Sequence, residues 1–274
     1  MADNSFEFFP PRTAEGKAKL RATWQQLAQL KPRFFSCTYG AGGSTRDGTL
    51  ETVMEILEAG HAAAPHISCV ACTRKDILDQ LQRYKANGIR HLVALRGDLP
   101  SGLGASGEFR YASDLVAYIR QTTGDWFSIE VACYPEYHPQ TRYAADEVRN
   151  FKKKVDAGAN AAITQFFYNA DAYFRFVEEC RAAGISIPIV PGVMPIGNFS
   201  QLARFSDACG AEIPRWMRLK LDGYRDDSAS IRAFGLDVVT ALCEKLIAGG
   251  APGLHFYTLN QAALSAEIWR RLKL

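Results

Sequence analysis

Short apolar segments alternate with helical segments along the whole chain, and this alternation constrains the fold more than any other feature of the sequence. The short segments are rich in β-branched and aromatic residues, as expected for strands that are buried on both faces. They lie at 5–11, 34–39, 66–72, 91–98, 127–134, 161–167, 187–193 and 255–259. Between them apolar residues recur at helical spacing, beginning with Leu20, Trp24 and Leu27.

A closed barrel accounts best for eight such repeats in 274 residues. Strands that alternate with helices form a parallel sheet with the helices outside it. The stretch 199–249 has a longer helical pattern than a single repeat needs, and nothing resembling a linker divides the chain. We therefore expect one α/β domain, a (β/α)8 TIM barrel over residues 1–274. An open doubly wound sheet is the alternative.

Composition and charge argue against several classes of protein. The net charge is +3 with both signs mixed along the chain, so we expect no nucleic-acid partner and no basic membrane-binding patch. The N-terminus lacks a signal-peptide pattern, and no run of about 18 apolar residues occurs. The seven cysteines lie mostly in apolar runs, which is typical of free thiols in a reducing compartment. These features predict a cytoplasmic protein.

Glu7 lies between Phe6 and Phe8 in the first predicted strand. Burial removes water from its carboxylate and favours the neutral form unless a partner compensates. A carboxylic acid that is protonated near neutral pH suits a proton-donating catalyst. Glu7 is therefore a candidate acid, although a glutamate facing water or one paired with a buried arginine would leave the same pattern.

Polar residues collect where the predicted strands end, and in a barrel these ends meet at one mouth. Arg96 could hold a phosphate and Asp98 a polar heterocycle, or the two could simply pair. Gln165 is either structural or a ligand contact, because a buried amide needs partners. The residues at these ends are Thr38, Tyr39, His66, Arg96, Asp98, Tyr134, His138, Gln165 and Asn260, joined by Glu7.

Two segments near these ends each have two interpretations. The turn at 134–139 holds aromatic rings, a histidine and two prolines, which favours contact with a flat ligand or else a loop ordered by proline. The run Lys152, Lys153 and Lys154 indicates a solvated helix face, unless one lysine reaches a phosphate at the mouth.

Two further motifs do not support the sites that their spacing suggests. Gly102, Gly104 and Gly107 match a dinucleotide-binding pattern, but other residues separate them from both strand and helix, so we interpret them as part of a loop. Cys69 and Cys72 have metal-ligand spacing on a predicted strand, where residues three apart point to opposite faces. We therefore expect structural thiols and no metal site.

Nine segments in order along the chain resemble the methylenetetrahydrofolate reductase family. They are Ser-Phe-Glu-Phe-Phe-Pro-Pro-Arg (5–12), Thr-Tyr-Gly-Ala (38–41), Ala-Pro-His (64–66), Ala-Leu-Arg-Gly-Asp (94–98), Tyr-Ala-Ser-Asp-Leu (111–115), Tyr-Pro-Glu-x-His-Pro (134–139), Lys-x-Asp-Ala-Gly-Ala-Asn (154–160), Ile-Thr-Gln-Phe-Phe (163–167) and His-Phe-Tyr-Thr-Leu-Asn (255–260). The resemblance is to the single-domain bacterial form and implies a (β/α)8 barrel.

The resemblance also implies chemistry. It implies a noncovalent FAD at the barrel mouth, with NADH or NADPH and a folate using one flavin face in turn. A hydride would pass from the nicotinamide to the flavin and then to the one-carbon unit of 5,10-methylenetetrahydrofolate, leaving 5-methyltetrahydrofolate. Glu7 matches the family's general acid, and Asp98 matches a residue whose negative charge would support an iminium cation. We expect a homo-oligomer.

The same resemblance assigns binding roles to residues of this chain. Thr38 corresponds to a contact on the nicotinamide side. Gln165 and Gln201 correspond to folate contacts, and Phe205 to an aromatic residue that packs on either bound partner. The residues at flavin-holding positions are Tyr39, Ala41, His66, Arg96, Gly97, Asp98, Tyr111, Ala112, Tyr134, His138, Glu147, Asn150, Lys153 and Lys154.

One position departs from the family pattern. The family commonly has an arginine where this chain has Gln261, and that arginine is expected to attract the anionic tail of the folate. Tail recognition therefore stays open here. Two other functions also stay open, a barrel that binds flavin or folate without turnover, and another flavin-dependent barrel dehydrogenase such as one acting on an amino acid.

Overall fold

Strands and helices alternate through nearly the whole chain in the computed structural model, which describes residues 3–39, 46–97 and 107–274. The helices in these ranges are α1 Ala14–Ala28, α2 Arg46–Glu58, α3 Arg74–Ala86, α4 Ala112–Thr123, α5 Ala145–Asp156, α6 Ala170–Ala182, α7 Phe199–Cys209, α8 Arg215–Tyr224, α9 Ser228–Ala248 and α10 Ala262–Leu272. The strands are β1 Ser5–Phe8, β2 Phe34–Cys37, β3 Ala63–Ser68, β4 His91–Leu95, β5 Ser128–Cys133, β6 Ala161–Thr164, β7 Ile189–Val190, β8 Gly192–Val193 and β9 His255–Tyr257.

The sheet closes on itself through β7 and β8. The strands are parallel in the order β7-β6-β5-β4-β3-β2-β1-β9-β8, so β7 and β8 lie at opposite ends of that order. Only Pro191 separates them in the chain, and this short stretch pairs with β6 on one side and with β9 on the other. The predicted (β/α)8 barrel is therefore confirmed, with β7 and β8 together forming its seventh strand.

The third strand differs from its prediction. It was expected at 66–72, but β3 spans Ala63–Ser68 because a turn follows it, in which the Cys72 amide donates to the Cys69 carbonyl at 3.2 Å. Ala71 has a φ of 56°, a left-handed conformation that a strand does not contain. The argument that Cys69 and Cys72 face opposite sides of a strand was therefore wrong. Among the residues that the structure describes, no cluster of three or more His, Cys, Asp or Glu side chains could hold a metal ion.

The long helical pattern at 199–249 consists of three helices. Gly210 ends α7 with a φ of 72°, a conformation that suits glycine at a helix C-terminus. Asp227 begins α9 by accepting hydrogen bonds from the backbone amides of Ala229 and Ser230. These two residues at helix ends divide a stretch that the apolar spacing alone shows as a single helical pattern.

Alternation along the strands separates two apolar layers. Phe6 and Phe8 point outward to the helices, and the Phe6 ring centroid lies 5.2 Å from that of Trp269 on α10. A smaller cluster fills the inside of the barrel, formed by Phe34, Ala64, Val93 and Ile163, with Leu95 and Tyr257 packed against it. Because neighbouring strand residues face opposite sides, Ser5 and Glu7 must then point inward.

Closure of the barrel depends on the small size of Gly192. A Cβ atom added there would lie 2.3 Å from the Thr164 carbonyl oxygen and 2.6 Å from the Tyr257 ring. We expect Gly192→Ala to lower the free energy of unfolding, measured in urea, by about 2 kcal/mol through overpacking. The matched control is Gly223→Ala on α8, where an added Cβ meets nothing within 4 Å. That variant should gain up to about 1 kcal/mol, and equal effects at the two positions would contradict the packing argument.

Candidate active site

Glu7 contacts two imidazoles inside the barrel. Its Oε2 atom lies 3.3 Å from Nε2 of His66 on β3 and 3.3 Å from Nε2 of His255 on β9. Ser5 extends this cluster, since its Oγ lies 2.7 Å from Nδ1 of His255. The cluster is almost shielded from water, with 16% of the Glu7 side chain exposed and none of His255. The sequence motifs contained Ser5 and His255, but their shared contact with Glu7 was not predicted.

The imidazoles reverse the expected effect of burial on Glu7. Burial on its own raises the pKa of a carboxyl group, but the charge of His66 and a hydrogen bond with His255 outweigh it and lower the Glu7 pKa from 4.5 to about 2. His66 lowers the Glu7 pKa mainly through its charge and to a smaller extent through a hydrogen bond. The Glu7 carboxylate is thus compensated by two imidazoles, and under this condition burial no longer favours the neutral form.

A second carboxylate–imidazole pair lies deeper in the barrel. Nε2 of His91, at the start of β4, lies 2.9 Å from Oε1 of Glu130 on β5. Burial on its own raises the Glu130 pKa, but the hydrogen bond and charge of His91 outweigh it and lower that pKa. The Phe34 ring lies between the two carboxylate–imidazole groups, with its centroid 4.3 Å from that of the His91 ring and 6.2 Å from that of the His255 ring. Sequence reasoning missed this pair, and the alternation of inward residues on β4 and β5 was the available signal.

The three lysines of the run on α5 have different surroundings. Lys152 forms an ion pair with Asp156 at 2.7 Å, and Lys153 is exposed. Lys154 instead turns toward the barrel, where its Nζ donates to the Ala132 carbonyl at 2.5 Å. Burial lowers the Lys154 pKa, and the charge of Arg96 lowers it further. Lys154 and Arg96 therefore form a cationic region above β4 and β5, and contact of Lys154 with a phosphate stays a prediction.

The turn at 134–139 is held by internal contacts. The Tyr134 and His138 rings meet edge to face with centroids 4.7 Å apart. Glu147, buried on α5, accepts a hydrogen bond from the His138 amide at 3.1 Å and another from the Thr141 hydroxyl at 2.8 Å. Glu147 thus orders the turn in the protein without ligands. Asn150, on the same helix, is exposed.

The remaining predicted residues surround the mouth at the ends of β2 and β4. Tyr39 donates to Gln80 at 3.3 Å, and burial raises its pKa to about 12. The Thr38 carbonyl accepts from the Thr49 hydroxyl at 2.8 Å. Tyr111 precedes α4 and is half exposed, and Ala112 is the first residue of that helix. Gly97 follows β4 with a φ of 87°. Ala41 and Asp98 lie outside the described residues, as do Gly102 and Gly104.

A cavity of about 160 Å³ lies between the ends of β8 and β9 and the helices that follow them, and its wall includes Tyr257, the strand neighbour of Glu7. It brings together three predicted folate contacts, Gln201 and Phe205 on α7 and Gln261 before α10. The wall also includes Thr258, whose hydroxyl donates to the Glu7 carbonyl at 2.6 Å. Gln165 lies at the end of β6 and does not line this cavity, and its Oε1 accepts from the Phe166 amide.

The sequence profile described as "Methylenetetrahydrofolate reductase" matches residues 2–273. The chain belongs to the methylenetetrahydrofolate reductase family. This confirms the resemblance seen in the motifs and shows an oxidoreductase of folate metabolism. Roles of individual residues stay predictions.

Curated members of the family cover nearly the whole chain. The 5,10-methylenetetrahydrofolate reductases of Salmonella typhimurium and Escherichia coli are both 43% identical over 269 residues, which are 98% of this chain and 90% of those proteins. An Arabidopsis thaliana protein named methylenetetrahydrofolate reductase (NADH) 1 is 39% identical, over 93% of this chain and 46% of its own length.

A solved structure shows the same fold at low identity. A Clostridium thermocellum protein, described as binding two copies of 5-methyl-5,6,7,8-tetrahydrofolic acid, superposes with a TM-score of 0.66 and 18% identity, over 97% of this chain and 92% of that one. At this identity the likeness concerns the fold alone. Separately, no helix in the described part of the chain is long and apolar enough to cross a membrane.

Glu7 gives the stability of the protein a pH dependence of defined sign. Its pKa is lower in the folded protein, so the stabilisation is present above pH 4.5 and is lost as the pH falls toward about 2. This pKa difference corresponds to about 3 kcal/mol. We expect the free energy of unfolding, measured in urea across this range, to fall less steeply for Glu7→Gln. A Glu58→Gln control at the exposed end of α2 should keep the wild-type slope. Parallel curves for Glu7→Gln and wild type would contradict the pKa shift.

Proposed function

We propose that the chain is a flavin-dependent reductase that uses NADH or NADPH to convert 5,10-methylenetetrahydrofolate into 5-methyltetrahydrofolate. The observation that carries this proposal is the contact of Glu7 with His66 and His255 beside a cavity lined by amides and an aromatic ring. Opening a methylene bridge needs a proton in addition to a hydride, and a carboxyl group in contact with imidazoles can supply one. Family membership favours this reductase over the non-catalytic barrel and the amino-acid dehydrogenase.

The described residues fit FAD at the barrel mouth. Ser36 Oγ is buried without a hydrogen-bond partner among the described residues, so it is a polar atom that a polar ring system could satisfy. Arg96 and Lys154 have no carboxylate within ion-pair distance in the described ranges, which suits a pyrophosphate. We propose that FAD is held by Tyr39, Ala41, His66, Arg96, Gly97, Asp98, Tyr111, Ala112, Tyr134, His138, Glu147, Asn150, Lys153 and Lys154, with Thr38 on the nicotinamide side.

Bound FAD would accept a hydride from the reduced nicotinamide and donate it to the one-carbon unit of the folate. Glu7 and its imidazoles would hold the proton that opens the methylene bridge. The low Glu7 pKa depends on the two imidazoles, and burial alone would favour the protonated carboxyl. The carboxyl group lies 3.3 Å from each imidazole, so the three side chains would hold that proton as one unit.

The other proposed contacts are those with the folate. Gln201, Phe205 and Gln261 would line the folate site in the cavity, and Gln165 would contact the folate from β6. Asp98 would support the iminium cation.

We further propose that residues 1–274 form one FAD-binding catalytic domain of a cytoplasmic homo-oligomer. The seven free cysteines fit a reducing compartment, and the exposed Trp216 and Leu219 on α8 offer surface for a subunit contact.

An anaerobic visible spectrum of the purified protein tests this function most directly. A flavin spectrum should bleach on addition of NADH and recover on addition of 5,10-methylenetetrahydrofolate. A flavin that bleaches without recovering would indicate a different acceptor. Failure to find or bind any FAD would overturn the proposed chemistry.

Glu7→Gln should separate the two half-reactions. We expect NADH still to bleach the flavin, whereas recovery with 5,10-methylenetetrahydrofolate should slow by at least about a hundredfold, because the variant has lost its proton donor. Stopped-flow absorbance measures both steps. The matched control is Glu130→Gln, the same change at the deeper carboxylate–imidazole pair, which should keep both half-reactions. Folate reduction by Glu7→Gln at the wild-type rate would refute the acid role.

A further inference from the structure

The cavity beside Glu7 contains a single charged side chain. Of its fifteen lining residues, only Arg232 on α9 is charged, and the rest carry amides, hydroxyls, two aromatic rings and other apolar groups. Arg232 makes no hydrogen bond or ion pair with a described residue. Asp227, which caps the same helix, is engaged elsewhere, because it accepts from the amides of Ala229 and Ser230 and from the Ser230 hydroxyl. The Arg232 charge is therefore available to a ligand in the cavity.

A helix N-terminus opens onto the same cavity. Gln261 precedes α10, and its side chain makes no capping hydrogen bond, so the first amides of the helix are not capped by it. Ser265, one turn further, lines the cavity and is fully buried, with an Oγ that has no hydrogen-bond partner among the described residues. Amides at a helix N-terminus and an unpaired hydroxyl both favour an anionic oxygen ligand.

We propose that Arg232, together with the N-terminal end of α10, binds the glutamate carboxylates of the folate. The proposal rests on the proposed function, since it assigns a residue to one end of that substrate. Gln261 is neutral, so the charge that recognises the tail comes from α9 and not from the residue before α10. The uncharged remainder of the cavity wall accommodates the part of the folate between its reacting ring and its tail.

The test compares two ligands that differ only in the tail. Binding of 5-methyltetrahydrofolate and of 5-methyltetrahydropteroate, which lacks the glutamate, is measured by calorimetry on the FAD-loaded protein. We expect Arg232→Gln to raise the Kd for the folate by at least about tenfold, the loss of a charge-assisted hydrogen bond, while the Kd for the pteroate changes less than about twofold. Arg232→Lys should retain part of the affinity.

Two further variants test whether the position of the positive charge matters. Arg218→Gln removes the same charge from an exposed position on α8 that does not line the cavity, and it should leave both Kd values unchanged. Gln261→Arg should tighten folate binding when it is introduced into the wild-type protein. Introduced into the Arg232→Gln variant, it should restore folate binding, because it places a cation on the other side of the tail.

The outcomes separate the two proposals. If wild-type protein binds the folate and Arg232→Gln binds it equally well, or loses both ligands equally, the role of Arg232 is wrong and the proposed function stands. If the FAD-loaded wild-type protein binds neither ligand, the proposed function fails, and the assignment of Arg232 fails with it.

Discussion

The charge of Glu7 inside the barrel is the constraint on which the rest of the site depends. Phe6 and Phe8 fill the layer between sheet and helices, so the alternation of β1 directs Glu7 inward. A buried carboxylate is costly unless opposite charge or hydrogen bonds compensate it. His66 and His255 compensate it from strands on opposite sides of β1, and both reach the same oxygen only because the sheet curves into a closed barrel.

Two carboxylate–imidazole pairs of the same chemistry have different access to ligands. Glu130 is 2% exposed and lies behind the Phe34 ring, whereas Glu7 lies beside the open cavity. In barrels of this kind the chemistry belongs to the C-terminal ends of the strands. Removing one partner of a buried pair is costly even where the pair itself adds little stability. The deeper pair therefore belongs to the structure of the barrel, and the Glu7 cluster to its chemistry.

Local patterns predicted the barrel and the strand ends that form its mouth, but not the contacts between distant segments. His255 meets Glu7 across 248 residues of sequence, so the segment around Glu7 could not show which partner compensates its charge. The end of β3 was misplaced because apolar composition continues through the Cys69–Cys72 turn. The sequence also could not separate Lys152 from Lys154, since only the curvature of the barrel decides which side of α5 faces the mouth.

The charged side chains around the barrel mouth would determine how the cofactor and the folate are oriented there. Arg96 and Lys154 lie above β4 and β5, Arg232 lies on α9 beyond β8, and the ionised Glu7 lies on β1, which separates these strands in the sheet. An anionic group is therefore attracted to either flank, whereas at the centre the charge of Glu7 is compensated by His66 and His255. A cofactor with a pyrophosphate and a substrate with a carboxylate tail would each anchor their charge on a different flank. Their uncharged rings would then meet over Glu7, where the proton is needed.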